Sequence, residues 1–147
     1  MEIAILGLGC FWGPEIKFSK LDGVIKTEVG YCGGNSSETT YKDVCTGITN
    51  HAEVVKLDFD PKIISYEKIL KYFFEIHDPT TLNSQGPDFG TQYRSEIFYL
   101  NDQQKEISKK IIKEESIKFS EKIVTKTSLV KNYCAAEEYH QKYLEKR

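Results

Sequence analysis

Gly9-Cys10-Phe11-Trp12-Gly13-Pro14-Glu15 follows directly on the apolar run Ile3-Ala4-Ile5-Leu6-Gly7-Leu8. The run is short and closed by glycine, as suits a buried strand. Pro14 suits the first turn of a helix, where its missing N–H is not needed. Cys10 therefore belongs to a junction at which a strand feeds a helix. Unpaired backbone N–H groups and the positive end of the helix dipole gather there, and both favour a thiolate over a thiol. Phe11 and Trp12 are adjacent aromatics that cannot both enter a core on one side, so at least one is left to line a pocket. The alternative is a buried structural cysteine among core aromatics. The flanking glycines, Pro14 and the aromatic pair argue for a reactive one.

Outward from that junction, strands and helices alternate. Pro14 to Lys20 reads as a short helix broken by Asp22-Gly23, and Val24 to Tyr31 as a strand with Ile25, Thr27 and Val29 on one face. Cys32-Gly33-Gly34-Asn35-Ser36-Ser37 is a turn-forming loop. A strand from Ala52 to Phe59 ends at Asp60-Pro61, and its alternation sets Glu53 on the face of Val55, Leu57 and Phe59. Glu53 is then either an exposed strand-end residue or a buried acid. Ser65 suits the cap of a helix whose stripe Tyr66, Ile69, Leu70, Phe73, Phe74 is core, ending near His77-Asp78-Pro79. From Thr80 to Arg94 the chain is polar and longer than a simple connector needs, and segments of that kind tend to carry function. Ser95 to Leu100 resumes as a strand, and Asn101 or Asp102 caps a helix carrying Ile107, Ile111 and Ile112. Ile123 to Val130 reads as a strand and Ala135 to Leu144 as a helix. The order predicts an α/β fold, a single-domain two-layer sandwich of helices on a mixed sheet spanning residues 1–147.

With 39% hydrophobic and 29% charged residues, the 147-residue chain has the composition of an ordinary globular domain able to bury a core without staples. A net charge of −2, with basic and acidic residues interspersed, gives no attraction to nucleic acid or an anionic membrane. No apolar run approaches spanning length, and Met1-Glu2 opens without a basic leader, so a cytoplasmic location is expected. Cys10, Cys32, Cys45 and Cys134 lie too far apart for a Cys-x-x-Cys pair or a zinc cluster. They are expected to be free thiols at rest, with transient disulfides open to them.

A reactive thiol, an acid on an apolar face, and a polar loop holding Asp88 and Tyr93 suit nucleophilic redox chemistry. The same segments carry a resemblance. Gly9-Cys10-Phe11-Trp12-Gly13, Gly30-Tyr31-Cys32-Gly33-Gly34, Tyr41-Lys42-Asp43-Val44-Cys45-Thr46-Gly47 with His51-Ala52-Glu53-Val54-Val55, Asp88-Phe89-Gly90-Thr91-Gln92-Tyr93-Arg94-Ser95, and Ala136-Glu137-Glu138-Tyr139-His140-Gln141 occur in this order. Together they resemble the peptide methionine sulfoxide reductase A family over nearly the whole chain. The resemblance implies reduction of the S epimer of methionine sulfoxide, free or in proteins, without a metal or organic cofactor. It implies Cys10 as nucleophile and Phe11 and Trp12 as the walls around the substrate methyl. Glu53 would be the acid that protonates the sulfoxide oxygen, Tyr41 and Tyr93 the hydroxyls bonded to that oxygen, and Asp88 a polar support of the pocket. The chemistry is consistent, because oxide is a poor leaving group and a carboxyl flanked by apolar side chains stays protonated near neutral pH.

Taken without the family, Tyr41 and Tyr93 also read as interfacial aromatics, and Asp88 as a turn residue beside Gly90. His51, His77 and His140 read as structural, since nothing in the sequence sets one beside Cys10. A redox-sensing binding module and a thiol peroxidase are the competing functions. The sensor needs neither an acid nor oxygen-binding hydroxyls. Many family members recycle the nucleophile with a cysteine in a glycine-rich tail, which is not found after the last block of this sequence. Direct reduction of the Cys10 sulfenic acid by thioredoxin, glutaredoxin or another small thiol is therefore expected, with Cys32 and Cys134 as internal alternatives and Cys45 as structural.

Overall fold

The computed structural model describes residues 1–146. In chain order its elements are β1 (Glu2–Leu8), α1 (Trp12–Ser19), β2 (Val24–Cys32), α2 (Tyr41–Cys45), β3 (Ala52–Phe59), α3 (Tyr66–Glu75), β4 (Ser84–Gln85), β5 (Asp88–Phe89), β6 (Ser95–Tyr99), α4 (Asp102–Glu115), β7 (Lys126–Leu129) and β8 (Cys134–Ala135). Short 3-10 turns cover Thr91–Tyr93 and Glu138–His140.

Alternation along the strands sorts their side chains. On β1, Ala4, Leu6 and Leu8 enter a large core, while Ile3 and Ile5 join a smaller cluster on the other side. Antiparallel neighbours flank this strand, β3 with Leu57 opposite Ala4 and β6 with Ile97 opposite Leu6. The full sheet has six strands in the order β7-β6-β1-β3-β2-β8, with β6 and β7 parallel and the other pairs antiparallel. Phe18 of α1, Ile69, Leu70, Phe73 and Phe74 of α3, and Ile111 of α4 all pack into the large core against Leu6, Val29, Val55, Leu57 and Phe59. The helices thus occupy one face, giving the expected two-layer α/β sandwich on a mixed sheet. The opposite face is closed by Cys32, Ala52, Val54 and Phe98 with Tyr133 and Val130 packed over them.

Local signals set most boundaries. The Ser65 hydroxyl accepts from the Lys68 N–H at 3.0 Å, and the Asn101 side chain, rather than that of Asp102, accepts from the Gln104 N–H at 2.9 Å. The sequence pattern does not predict helix α2, although Thr40 caps it by accepting from the Asp43 N–H at 3.2 Å. The Thr40-x-x-Asp43 spacing was the available signal. Between Thr80 and Arg94 lie the small hairpin of β4 and β5 and the turn Thr91–Tyr93. The predicted strand over 123–130 shrinks to Lys126–Leu129.

The predicted helix from Ala135 to Leu144 does not form. Its backbone bonds go instead to the edge of β2: β8 sets Ala135 opposite Gly30, and the Ala136 N–H donates to the Val29 carbonyl at 3.0 Å. The Gln141 amide then accepts from the Val29 N–H and donates to the Val29 carbonyl, each at 2.9 Å, as a neighbouring strand would. Glu15, 2% exposed on α1, accepts from the Thr27 hydroxyl at 2.8 Å and from the Lys142 N–H at 2.7 Å. Tertiary bonds of this number outweigh a weak local helix preference. Among the described residues no helix is long and apolar enough to cross a membrane.

Gln141→Ala should leave the Val29 N–H and carbonyl without these partners and lower unfolding free energy by about 1–3 kcal/mol. Urea unfolding measures this, and a loss below about 0.5 kcal/mol would show that the Gln141 bonds do not anchor the segment.

Candidate active site

The turn between β1 and α1 carries Cys10, and its shape depends on Gly9. Gly9 has a φ of +100°, and a Cβ there would lie 2.8 Å from the Gln85 side chain. A residue without a side chain lets the β4–β5 hairpin close over the turn. Gln85 is fixed in turn by accepting from the Asp78 N–H at 3.0 Å and by donating to the Asp78 carbonyl. This places Asp88, opposite Gln85 in the hairpin, near enough to Cys10 for its charge to oppose ionisation of the thiol.

Glu53 is the second residue of β3, on the face of the large core, and only 1% exposed. It is the buried acid of the two sequence alternatives. One carboxyl oxygen accepts from the Phe11 N–H at 3.3 Å, and the other has no hydrogen-bond partner among the described residues. Burial pushes its pKa up from 4.5 to about 8, against the Phe11 N–H and with help from the Asp88 charge. At neutral pH the group is a carboxylic acid with a free O–H to donate.

Tyr41 opens α2, and its backbone N–H donates to Glu137 at 2.9 Å. Tyr93 closes the turn Thr91–Tyr93. That turn is pinned by Arg94, which bonds the Thr91 carbonyl at 2.9 Å, the Asn50 carbonyl just before β3 at 3.1 Å, and Glu96 at 2.6 Å in a buried ion pair. Both phenols keep their protons. Burial first and Glu53 next raise Tyr93 to about 12, and burial with the Cys45 hydrogen bond raises Tyr41 further. Glu53, Tyr41, Tyr93, Asp88 and Cys10 thus lie in one site, brought there from five separate segments.

Cys10 departs from expectation. The Trp12 N–H does hydrogen-bond its sulfur and favours the thiolate, but burial outweighs this and, with Glu53 and Asp88 opposing charge, lifts the thiol to about 11. The helix start is real; desolvation is the larger effect. Phe11 is buried against Tyr31 and His140, with ring centroids 5.8 and 5.3 Å away, while Trp12 is half-buried and stacked on Tyr143 at 3.8 Å.

Three further residues join the site: Cys45 and His140, which the sequence reads as structural, and Glu137, to which it assigns no role. Cys45, expected to be structural, is exposed and hydrogen-bonded to the Tyr41 hydroxyl. Glu137 accepts from Tyr41 and from the Tyr31 hydroxyl, the latter at 2.7 Å. His140 lies against Phe11, Trp12 and Tyr41, whereas His51 and His77 bond the Ser36 and Phe73 carbonyls as parts of the fold. Cys32 is fully buried on the face opposite Glu53 and donates to the Lys131 carbonyl at 3.3 Å. Cys134 sits in β8 rather than before a helix. Among the described residues no three His, Cys, Asp or Glu side chains are arranged to hold a metal.

A carboxyl that binds its proton more tightly when folded stabilises the fold below its unfolded pKa and loses that contribution as pH rises from 4.5 through about 8. The contribution is on the order of a few kcal/mol. Glu53→Gln, which cannot ionise, should therefore be more stable than the parent at pH 9, with the gap closing toward pH 5. Thermal melts across that range test this, and parallel curves for the two proteins would refute a neutral buried Glu53.

Residues 2–147 match the family model described as peptide methionine sulfoxide reductase. A peptide methionine sulfoxide reductase MsrA of Pelagibacter ubique is 80% identical over 147 residues, covering 100% of both chains. Among solved structures, Mxr1 from Saccharomyces cerevisiae in reduced form superposes with a TM-score of 0.94 at 44% identity, covering 99% of this chain and 85% of that one. Mxr1 in complex with Trx2 matches with a TM-score of 0.68 at 30% identity, covering 97% of this chain and 84% of that one. With a match of this extent and a site that gathers a thiol, a neutral buried acid and two phenols, the chain belongs to the peptide methionine sulfoxide reductase A family.

Proposed function

We propose that residues 1–147 act as one domain that reduces the S epimer of methionine sulfoxide, free or in peptides, with Cys10 as nucleophile and Glu53 as acid. The observation that carries this reading is the buried Glu53 carboxyl, neutral and with one oxygen free, beside the Cys10 turn. The sulfoxide oxygen takes the place of the missing partner. Glu53 donates a proton to it, and Tyr41 and Tyr93 hydrogen-bond to it as the S–O bond breaks. Phe11 and Trp12 enclose the methyl group, and Asp88 supports the pocket from the hairpin.

At rest the Cys10 thiol holds its proton. Protonation of the sulfoxide oxygen leaves positive charge on the substrate sulfur, and positive charge nearby favours the thiolate. Burial thus keeps Cys10 quiet until substrate arrives. In the net step one Cys10 thiol and one sulfoxide become a Cys10 sulfenic acid and a thioether: the oxygen changes partner and the electron pair passes from Cys10 to the methionine sulfur.

Regeneration follows by thiol chemistry. A reductant thiol attacks the Cys10 sulfur, releases water and forms a mixed disulfide, and a second thiol of the reductant restores Cys10. A thioredoxin-type dithiol fills this role, in keeping with the Mxr1 complex with Trx2; glutaredoxin or another small thiol supplies the same chemistry. A cytoplasmic setting keeps such thiols reduced and agrees with four free cysteines. Cys32 faces the wrong side of the sheet, and Cys134 is held in β8, which favours the external route.

Single-turnover reduction of a methyl sulfoxide tests the chemistry. Glu53→Gln should slow the step by about a hundredfold or more, and Cys10→Ser should abolish it. An unchanged rate in Glu53→Gln would remove Glu53 from the proton path. Counting thiols after one equivalent of sulfoxide tests recycling. One thiol should be lost, with the sulfenic acid trapped by dimedone. Loss of two, suppressed by serine at Cys32, Cys45 or Cys134, would overturn direct recycling and name the internal partner.

A further inference from the structure

His140 is 2% exposed and ends the turn Glu138–His140, far in sequence from the strand and helix that carry Cys10. Its Nδ1 accepts from the Trp12 indole N–H at 3.0 Å. An indole nitrogen can only donate, so Nδ1 bears no proton, and the ring proton of the neutral imidazole is on Nε2. Nε2 has no hydrogen-bond partner among the described residues. Burial holds the ring below its ordinary pKa, against the pull of Glu137. A neutral ring with this one tautomer is what the geometry requires.

The imidazole also lies among the rings of the site. Its centroid is 4.4 Å from that of Tyr41, 5.3 Å from Phe11, 5.7 Å from Trp12 and 4.2 Å from Tyr139. Trp12 has two rotatable side-chain bonds, and two contacts hold it: the His140 hydrogen bond along its edge and the Tyr143 ring stacked on it at 3.8 Å and 13°. One imidazole therefore touches a wall of the methyl pocket and a donor to the sulfoxide oxygen. Segments that reach the site from opposite ends of the chain are set in register through it.

The geometry points to His140 as a positioning residue that holds the Trp12 indole by an Nδ1 hydrogen bond and packs it in register with Tyr41, so that it governs sulfoxide binding more than bond making. The inference rests on the reading of Trp12 as a substrate wall. His140 touches no reacting atom and is not a catalytic residue. Loss of one such hydrogen bond weakens binding by up to about tenfold, which sets the size of the effect.

Two variants separate positioning from bulk. His140→Phe keeps a planar ring without an acceptor, and His140→Asn loses the ring but keeps an acceptor oxygen at the Nδ1 position. With dithiothreitol as reductant, His140→Phe should raise KM for a methyl sulfoxide about five- to tenfold while kcat stays within about twofold of the parent. His140→Asn should recover most of that rise. Trp12 is the single tryptophan of the chain, so its fluorescence reports the same bond without substrate. Its emission maximum should shift in His140→Phe and return toward the parent value in His140→Asn. Equal KM for the two variants, or a fall in kcat at constant KM in both, would overturn the proposal. If the phenylalanine variant fails to fold, 15N shifts of the parent decide: Nδ1 unprotonated and Nε2 protonated at pH 7 supports it, and the reverse tautomer sinks it. Absence of sulfoxide turnover in the parent would strike the functional reading alone, because tautomer and emission are read without substrate.

Discussion

A carboxyl group on the apolar face of a strand is the constraint around which the site is built. Glu53 shares its side of β3 with Val55, Leu57 and Phe59, and the core behind them leaves it almost no contact with water. Removing a carboxylate from water is costly, and the group meets that cost by keeping its proton. What would be a defect in an ordinary core becomes an acid available at neutral pH. The Phe11 N–H takes one oxygen and thereby ties the β1–α1 turn to β3, leaving the other oxygen for a ligand.

The same desolvation acts on Cys10 with a different consequence. A helix start favours the thiolate, yet burial and two neighbouring acids overrule it, and the resting thiol is a poor nucleophile. In the proposed mechanism this arrangement couples reactivity to substrate. Positive charge that develops on sulfur as its oxygen is protonated would favour the thiolate, so the group that donates the proton would also condition the thiol. Adventitious oxidation of Cys10 is disfavoured by the same physics.

Support for these groups comes from the far end of the chain, and it comes through polar side chains. Gln141 completes the edge of β2 at Val29, Glu15 captures Lys142, Glu137 grips Tyr31 and Tyr41, and His140 meets Trp12. Each contact satisfies a backbone or buried polar group that would otherwise be left unpaired. A segment without long regular structure is thereby tied to the edge of β2 and to α1. Arg94 performs a comparable service for Tyr93 by spanning Thr91, Asn50 and Glu96.

The sequence alone determined the parts whose information is local. The short apolar run of β1, alternation along β3, a cap at Ser65 and another at Asn101 or Asp102, the apolar stripe of α3 and the strand-to-helix turn at Cys10 all follow from periodicity and neighbouring residues, and together they specify a two-layer α/β sandwich. The family blocks nominated Cys10, Glu53, Tyr41, Tyr93, Asp88, Phe11 and Trp12 as one site, but spacing could not say whether Glu53 faced water or core. Tertiary structure decided that, and it decided the thiol state of Cys10, because burial depends on what packs over a residue from elsewhere in the chain. It also replaced the predicted C-terminal helix by β8 and a short turn, and drew Cys45, Glu137 and His140 into the site. Local propensity ranks a segment's own hydrogen bonds; it carries no knowledge of an open strand edge at Val29 or an indole N–H at Trp12 waiting for a partner.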